Sequence, residues 1–151
     1  ASAAAKVSAG GDSPDESVEV VAWLRGRVQQ ALTAQMASPG GKVVIISTGM
    51  GSIKDNGSGG LYAYRASKAA LNMMLRCAAL EMRRVNPAAK IMAYHPGTVD
   101  TPLSEPFQAS VAPEKLFSPA RAAEALDTVL SSLAADGELS YLDWRGETIP
   151  W

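Results

Sequence analysis

Cysteine and histidine occur once each in this chain, as Cys77 and His95, and that scarcity removes whole classes of chemistry. One thiol cannot close an internal disulfide, and Cys77 has no second ligand at zinc spacing, so a reducing compartment is expected, the cytoplasm first and an organelle second. Lys and Arg number 14 against 15 Asp and Glu. That balance leaves no basic field, and no basic patch interleaved with aromatics is present, so nucleic acid is not an expected partner. No apolar run approaches the ~20 residues of a membrane-spanning helix, so no membrane is expected either. The opening ASAAAKVSAGGDSPDES also lacks the apolar centre of a signal peptide. Residues 1–12 read as a flexible linker, with an import remnant as the alternative.

What is present suits a globular α/β chain. Hydrophobic residues make up 47% of the 151, enough for one core. Ser13-Pro14-Asp15-Glu16 has the grammar of a helix start, followed by Val21, Leu24, Val28, Leu32 and Met36 at three- and four-residue steps. Lys42 to Ser47 (KVVIIS) is apolar without alternation, the pattern of a strand covered on both faces of a parallel sheet. Lys90 to His95 and Leu139 to Asp143 are further strands. Between the first two strands a helix is expected from about Leu61 to Val85, packing through Leu71, Met74, Leu75, Ala78 and Met82 and stopping at Asn86-Pro87. Cys77 lies on it and reads as a buried structural thiol. Another helix opens at Ser118-Pro119 and runs to the Asp136-Gly137 turn. Three strands leave an apolar edge strand short of neighbours, so a further partner for that edge is expected.

Tyr64 and Lys68 stand four residues apart inside LYAYRASKAALN. At that spacing both side chains rise from one helical face, and an ammonium beside a phenol favours the phenolate. Tyr64 is therefore a candidate proton donor. The loop from Thr48 to Gly60 carries five glycines, which serve either close approach of backbone to a ligand or simple connection. His95, directly before Pro96-Gly97, reads as structural, and Ser52 as a turn residue. Pro102, Pro106 and Pro113 mark the Pro102 to Phe117 segment as a lid or a rigid connector.

The order of these motifs resembles the short-chain dehydrogenase/reductases. Hydroxyls follow a strand at Ser47-Thr48, Tyr64-Arg65-Ala66-Ser67-Lys68 is similar to the YxASK core, and Pro96-Gly97-Thr98-Val99-Asp100-Thr101 is similar to the family's nicotinamide-side loop. The closing YLDWRGETIPW resembles the C-terminus of the carbonyl-reductase branch with sniffer-like and C-factor-like proteins. This resemblance implies the C-terminal part of a doubly wound, Rossmann-type parallel sheet with flanking helices, over residues 13–151. It implies reversible hydride transfer between NAD(P)H and a small-molecule carbonyl or alcohol. Tyr64 would protonate the substrate oxygen, Thr48 or else Ser47 would hydrogen-bond it, and Lys68 would tune Tyr64 and bind the nicotinamide ribose. Pro96, Gly97, Thr98 and Val99 would hold the carboxamide, with Thr101 near the pyrophosphate.

Three departures from the family's pattern accompany the match. No strand–glycine–helix unit precedes Gly41, so the phosphate-binding half is expected elsewhere, most plausibly as another polypeptide; a homo-oligomer is a further expectation. The usual second serine is Thr48, whose methyl narrows the pocket, and no Asn lies between Ala1 and Met50 to complete the family's proton relay. The alternative to an oxidoreductase is accordingly an idle relative serving as a binding or scaffold subunit.

Overall fold

The computed structural model describes residues 40–151. The linker over residues 1–12 and the helix expected from Ser13 lie outside the described residues. Five strands and two helices follow in chain order: β1 (Lys42–Ile46), α1 (Tyr62–Val85), β2 (Lys90–His95), β3 (Thr98–Val99), β4 (Leu116–Phe117), α2 (Pro119–Ser132) and β5 (Leu139–Asp143). β1, β2 and β5 form a parallel sheet with β2 in the middle, and Ile45, Ala93 and Tyr141 share one row across it.

The central strand explains why KIMAYH shows no alternation. Ile91 and Ala93 face a core built with Val43, Leu75, Ala78, Met82 and Tyr141. Met92 and Tyr94, the alternate residues, face a second core with Val129, Leu126, Leu130 and Leu142. Since side chains of a strand alternate, α1 and α2 cover opposite faces of the sheet, and Lys90 to Tyr94 of β2 are all buried. The start of α2 and the stop of α1 lie where the sequence places them, whereas α2 ends at Ser132, short of the expected Asp136-Gly137 turn, because Leu133 is already extended. The Ser118 hydroxyl accepts from the Arg121 amide at 3.2 Å with Pro119 in the first turn, while the Asn86 amide closes α1 on the Met82 carbonyl at 2.7 Å.

The differences from expectation are local. Cys77 is exposed rather than buried, because the face of α1 that meets the sheet runs through Leu75, Ala78, Ala79 and Met82, about 100° per residue around the helix. The helix begins at Tyr62, with Leu61 as a left-handed N-cap (φ 47°), and β1 ends at Ile46 rather than Ser47. β3 and β4 were not anticipated: they pair in parallel, Thr98 with Leu116 and Val99 with Phe117. Two residues per strand carry no periodicity to read. The proline-bearing segment between them forms short 3-10 turns at Glu105–Ser110 and Pro113–Lys115. Among the described residues, β1 pairs only with β2, and Ile46 is 52% exposed at the sheet edge.

One buried charge enters the fold. The Lys90 side chain is 4% exposed and its Nζ donates to Asp136 at 2.7 and 3.0 Å. That ammonium, hydrogen-bonded to the carboxylate, holds Asp136 below the ordinary carboxylate value; burial opposes the shift and the Glu138 amide assists it. A carboxyl depressed in the folded state contributes stability above its unfolded value near ~4 and loses it as pH falls through the folded value. Asp136→Asn should therefore lower stability at neutral pH by about 2 kcal/mol, less than a fully buried pair because Asp136 is half exposed. Urea midpoints recorded from neutral to acid pH should show the gap to wild type closing below about pH 4.

Candidate active site

Parallel strands end together, so the residues just past β1, β2 and β5 meet at one edge of the sheet. Past β1, the Ser47 amide donates to the Tyr94 carbonyl at 2.7 Å, and the Ser47 hydroxyl crosses to α1, donating to Asn72 Oδ1 at 2.9 Å. Asn72 Nδ2 returns to the Gly51 carbonyl at 3.4 Å. Ser47 and Asn72 are 4% and 3% exposed, a polar pair inside an apolar interface. Thr48 caps the Gly49–Gly51 turn: its Oγ1 accepts from the Met50 amide at 3.4 Å, and its carbonyl accepts from both the Gly51 amide and the Tyr141 hydroxyl. Among the described residues the Thr48 hydroxyl donates to nothing.

The glycines here admit close approach. A Cβ on Gly51 would lie 2.9 Å from Asn72 Nδ2 and 3.1 Å from the Lys68 backbone, so the turn sits directly on the helix between those two residues. Gly49 faces the His95 imidazole, at 3.6 Å for its built Cβ. The turn after β1 thus touches Lys68 on one side and the residue before Pro96 on the other.

Tyr64, Lys68 and Asn72 occupy three successive turns of one α1 face. Lys68 Nζ lies 5.8 Å from the centre of the Tyr64 ring. Lys68 is half-buried, and Tyr64 is 41% exposed. Neither the Lys68 ammonium nor the Tyr64 hydroxyl has a hydrogen-bonding partner among the described residues, so no bond joins Tyr64 to Ser47 or Thr48. Arg65, between them in sequence, ties down the glycine loop through Ser58 Oγ at 2.9 Å and the Gly59 and Gly60 carbonyls. Ser52 is the turn residue expected, accepting from the Asp55 amide at 3.0 Å.

Past β2, Gly97 has φ +79°, and a Cβ there would meet Phe117 Cε2 at 2.9 Å and Trp144 Cδ1 at 3.3 Å. Phe117 and Trp144 pack edge to face, with centroids 4.8 Å apart, and the Arg121 guanidinium lies 3.8 Å over the Phe117 ring. Thr98 and Val99 are held by pairing with β4. Ser104 Oγ accepts from the Thr101 amide at 3.3 Å, and Thr101 Oγ1 donates to the Val99 carbonyl at 3.4 Å. Pro96 to Thr101 is thus a braced strand-and-turn rather than an open loop.

Burial sets the ionisation of this edge. Desolvation pushes His95 below its usual value against the opposing pull of Asp143, so its imidazole is neutral at pH 7. Tyr94 is pushed up by burial and then by Asp143. Burial likewise raises Tyr141, while the neighbouring Asn72 and Ser47 side chains pull the other way. The Tyr94 hydroxyl and His95 Nδ1 are buried without partners among the described residues.

A family model described as short chain dehydrogenase matches residues 20–112, well over half of the chain. This chain belongs to the short-chain dehydrogenase family. Within it, C-signal of Myxococcus xanthus is 32% identical over 110 residues, covering 73% of this chain and 61% of the relative. A short-chain dehydrogenase/reductase from Burkholderia multivorans, solved with bound NADP, superposes with a TM-score of 0.69 at 29% identity over 95% of this chain and 59% of its own. A carbonyl reductase from Pseudomonas aeruginosa PAO1 does so at 0.69 and 25% identity, over 92% and 57%. The chain thus spans about three-fifths of each of these relatives. Its relatives lie in the carbonyl-reductase branch, and the parallel sheet with helices on both faces is the α/β arrangement of these dehydrogenases.

Two polar residues at this strand edge escaped the sequence. Asn72 had a signal, since it is an amide one turn past Lys68 on a face otherwise apolar; the Tyr141 hydroxyl had none. Gly97→Ala and Gly146→Ala form a matched pair of strained positions, because Gly146 also has positive φ (+78°) but has only Val129 Cγ2 nearby, at 3.7 Å. Chemical denaturation should show a loss of about 1–2 kcal/mol for Gly146→Ala and about 2–4 kcal/mol for Gly97→Ala, the excess measuring the clash with Phe117.

Proposed function

We propose that this chain carries the reaction centre of an NAD(P)-dependent oxidoreductase acting on a small-molecule carbonyl or alcohol. The observation that carries the reading is the convergence of three segments. Tyr64 and Lys68 share one helical face, the hydroxyl-bearing turn after β1 rests on Lys68, and that turn adjoins the residue before Pro96. The residues fit a nicotinamide cofactor, because a half-buried ammonium with no anionic partner among the described residues adjoins a free phenol. When bound, the cofactor would supply or accept the hydride.

The chain's own groups do the remainder. Tyr64 gives its proton to the carbonyl oxygen in reduction and takes it back in oxidation. Thr48 is the better donor to that oxygen, because the Ser47 hydroxyl hydrogen is already committed to Asn72. A hydroxyl aimed at developing negative charge lowers the barrier more in a water-poor site than it would in water. Lys68, whose ammonium lies 5.8 Å from the centre of the Tyr64 ring, would bind ribose hydroxyls. Pro96, Gly97, Thr98 and Val99 would hold the carboxamide on a turn kept rigid by Phe117 and Trp144, with Thr101 near the pyrophosphate. In this reading residues 13–151 are the C-terminal portion of one dehydrogenase domain. In the same reading a further strand-bearing segment meets the edge of β1, which pairs only with β2 among the described residues.

NADPH or NADH at saturating concentration should raise the melting temperature of the wild-type protein, and benzaldehyde should be reduced at the expense of one of them. Tyr64→Phe should keep the thermal shift and lower kcat by about 100-fold or more. Absence of both shift and turnover would favour a binding or scaffold subunit, in which the Tyr64–Lys68 pair is idle.

A further inference from the structure

The turn that presents Thr48 is fastened at three points, by groups from α1, β5 and the segment after β5. Ser47 Oγ is bound to Asn72 of α1, the Thr48 carbonyl receives the Tyr141 hydroxyl of β5, and the Lys54 amide donates to the main-chain oxygen of Trp151 at 3.0 Å. Tyr141 comes from the far strand of the sheet. It reaches the β1 end because its row neighbour on β2 is Ala93, whose methyl leaves the space beneath the ring open. Tyr141 is 1% exposed, and its ring is stacked by Trp151 at 4.9 Å between centroids. The Ile149 amide donates to the Tyr141 carbonyl at 2.9 Å, so the segment 149–151 is tied both to β5 and to the far end of the turn.

We propose that Asn72 and Tyr141 are positioning residues that divide the labour of the two hydroxyls: they fix Ser47 as a structural group and orient the Thr48 peptide so that its hydroxyl is the one that meets the substrate oxygen. The inference rests on the oxidoreductase reading above. The chemistry of the contacts supports it. A serine hydroxyl has one hydrogen, and Asn72 Oδ1 holds it at 2.9 Å in a buried pair. The Thr48 carbonyl has two acceptor sites, filled by Gly51 and Tyr141, so rotation of that peptide would break both bonds at once. Thr48 itself keeps its hydrogen available among the described residues while its oxygen is steadied by the Met50 amide. Neither Asn72 nor Tyr141 need touch substrate, cofactor or the reacting atoms to act in this way. A small displacement of an aligned donor is enough to slow a reaction by ~10- to 100-fold.

Tyr141→Phe removes one hydroxyl and keeps the ring. With NADPH or NADH and benzaldehyde, it should lower kcat about tenfold while leaving the KM for cofactor within about twofold. Amide exchange in residues 49–54 should quicken by about tenfold, with α2 unchanged. Trp151→Leu applies the same test from a partly exposed ring without touching the buried hydroxyl, and should shift both readouts the same way by about threefold. Wild-type kcat together with wild-type exchange in Tyr141→Phe would overturn the inference alone. So would a loss spread evenly over kcat, cofactor KM and α2 exchange, because that is the signature of a merely structural residue. A wild-type protein inert with both cofactors would instead overturn the oxidoreductase reading and this inference with it.

Discussion

The hydrogen bond from Ser47 to Asn72 is the constraint on which the geometry of this chain turns. A buried neutral hydrogen bond contributes only about 1 kcal/mol net, but stranding either partner costs about 1–3 kcal/mol, and here both partners sit in an apolar interface. The end of β1 can therefore meet α1 in one register only. Gly51 reinforces that choice by resting against Lys68 and Asn72, where any side chain would collide. Because Tyr64 and Lys68 lie two turns and one turn before Asn72 on the same face, fixing the turn against the helix also fixes its relation to the phenol and the ammonium.

Sheet architecture then gathers the rest. Three parallel strands deliver Ser47-Thr48, His95-Pro96 and Asp143-Trp144 to one edge, the place where ligands bind in open α/β sheets. The ends of β1 and β2 are held by groups distant in sequence, that of β5 by a local side-chain turn. β1 is held by Asn72 and Tyr141, the turn after β2 by Phe117 and Trp144, and the turn after β5 by the Asp143 carboxylate, which accepts from the Arg145 and Glu147 amides at 2.9 Å each. Burial keeps His95 neutral and Tyr94 and Tyr141 protonated, so these three add no charge of their own at pH 7. Lys68 stands as a cation at this edge without a bonded partner among the described residues.

Much of this was legible along the chain. KVVIIS read as a doubly covered strand because it is apolar without alternation; β2 is the strand with a core on either side, whereas in β1 only Val43 is buried and Ile46 is exposed among the described residues. The Ser118-Pro119 start and the Asn86-Pro87 stop were readable because caps and breakers act through the backbone of their immediate neighbours. Cys77 was misread because hydrophobicity cannot say which of several adjacent apolar positions on a long helix turns inward. β3 and β4 were invisible because two-residue strands exist only through their partner.

The sequence by itself determined the longer elements among the described residues, their order, and the placement of Tyr64 and Lys68 on one face, all of which follow from spacing and local backbone preference. Only the tertiary structure decided which hydroxyl is committed and which is free, since Ser47 and Thr48 are adjacent and chemically alike. That choice depends on Asn72, Tyr141 and Trp151, which lie 25 to about 100 residues away along the chain and reach the turn through the helix crossing and the strand order rather than through anything local.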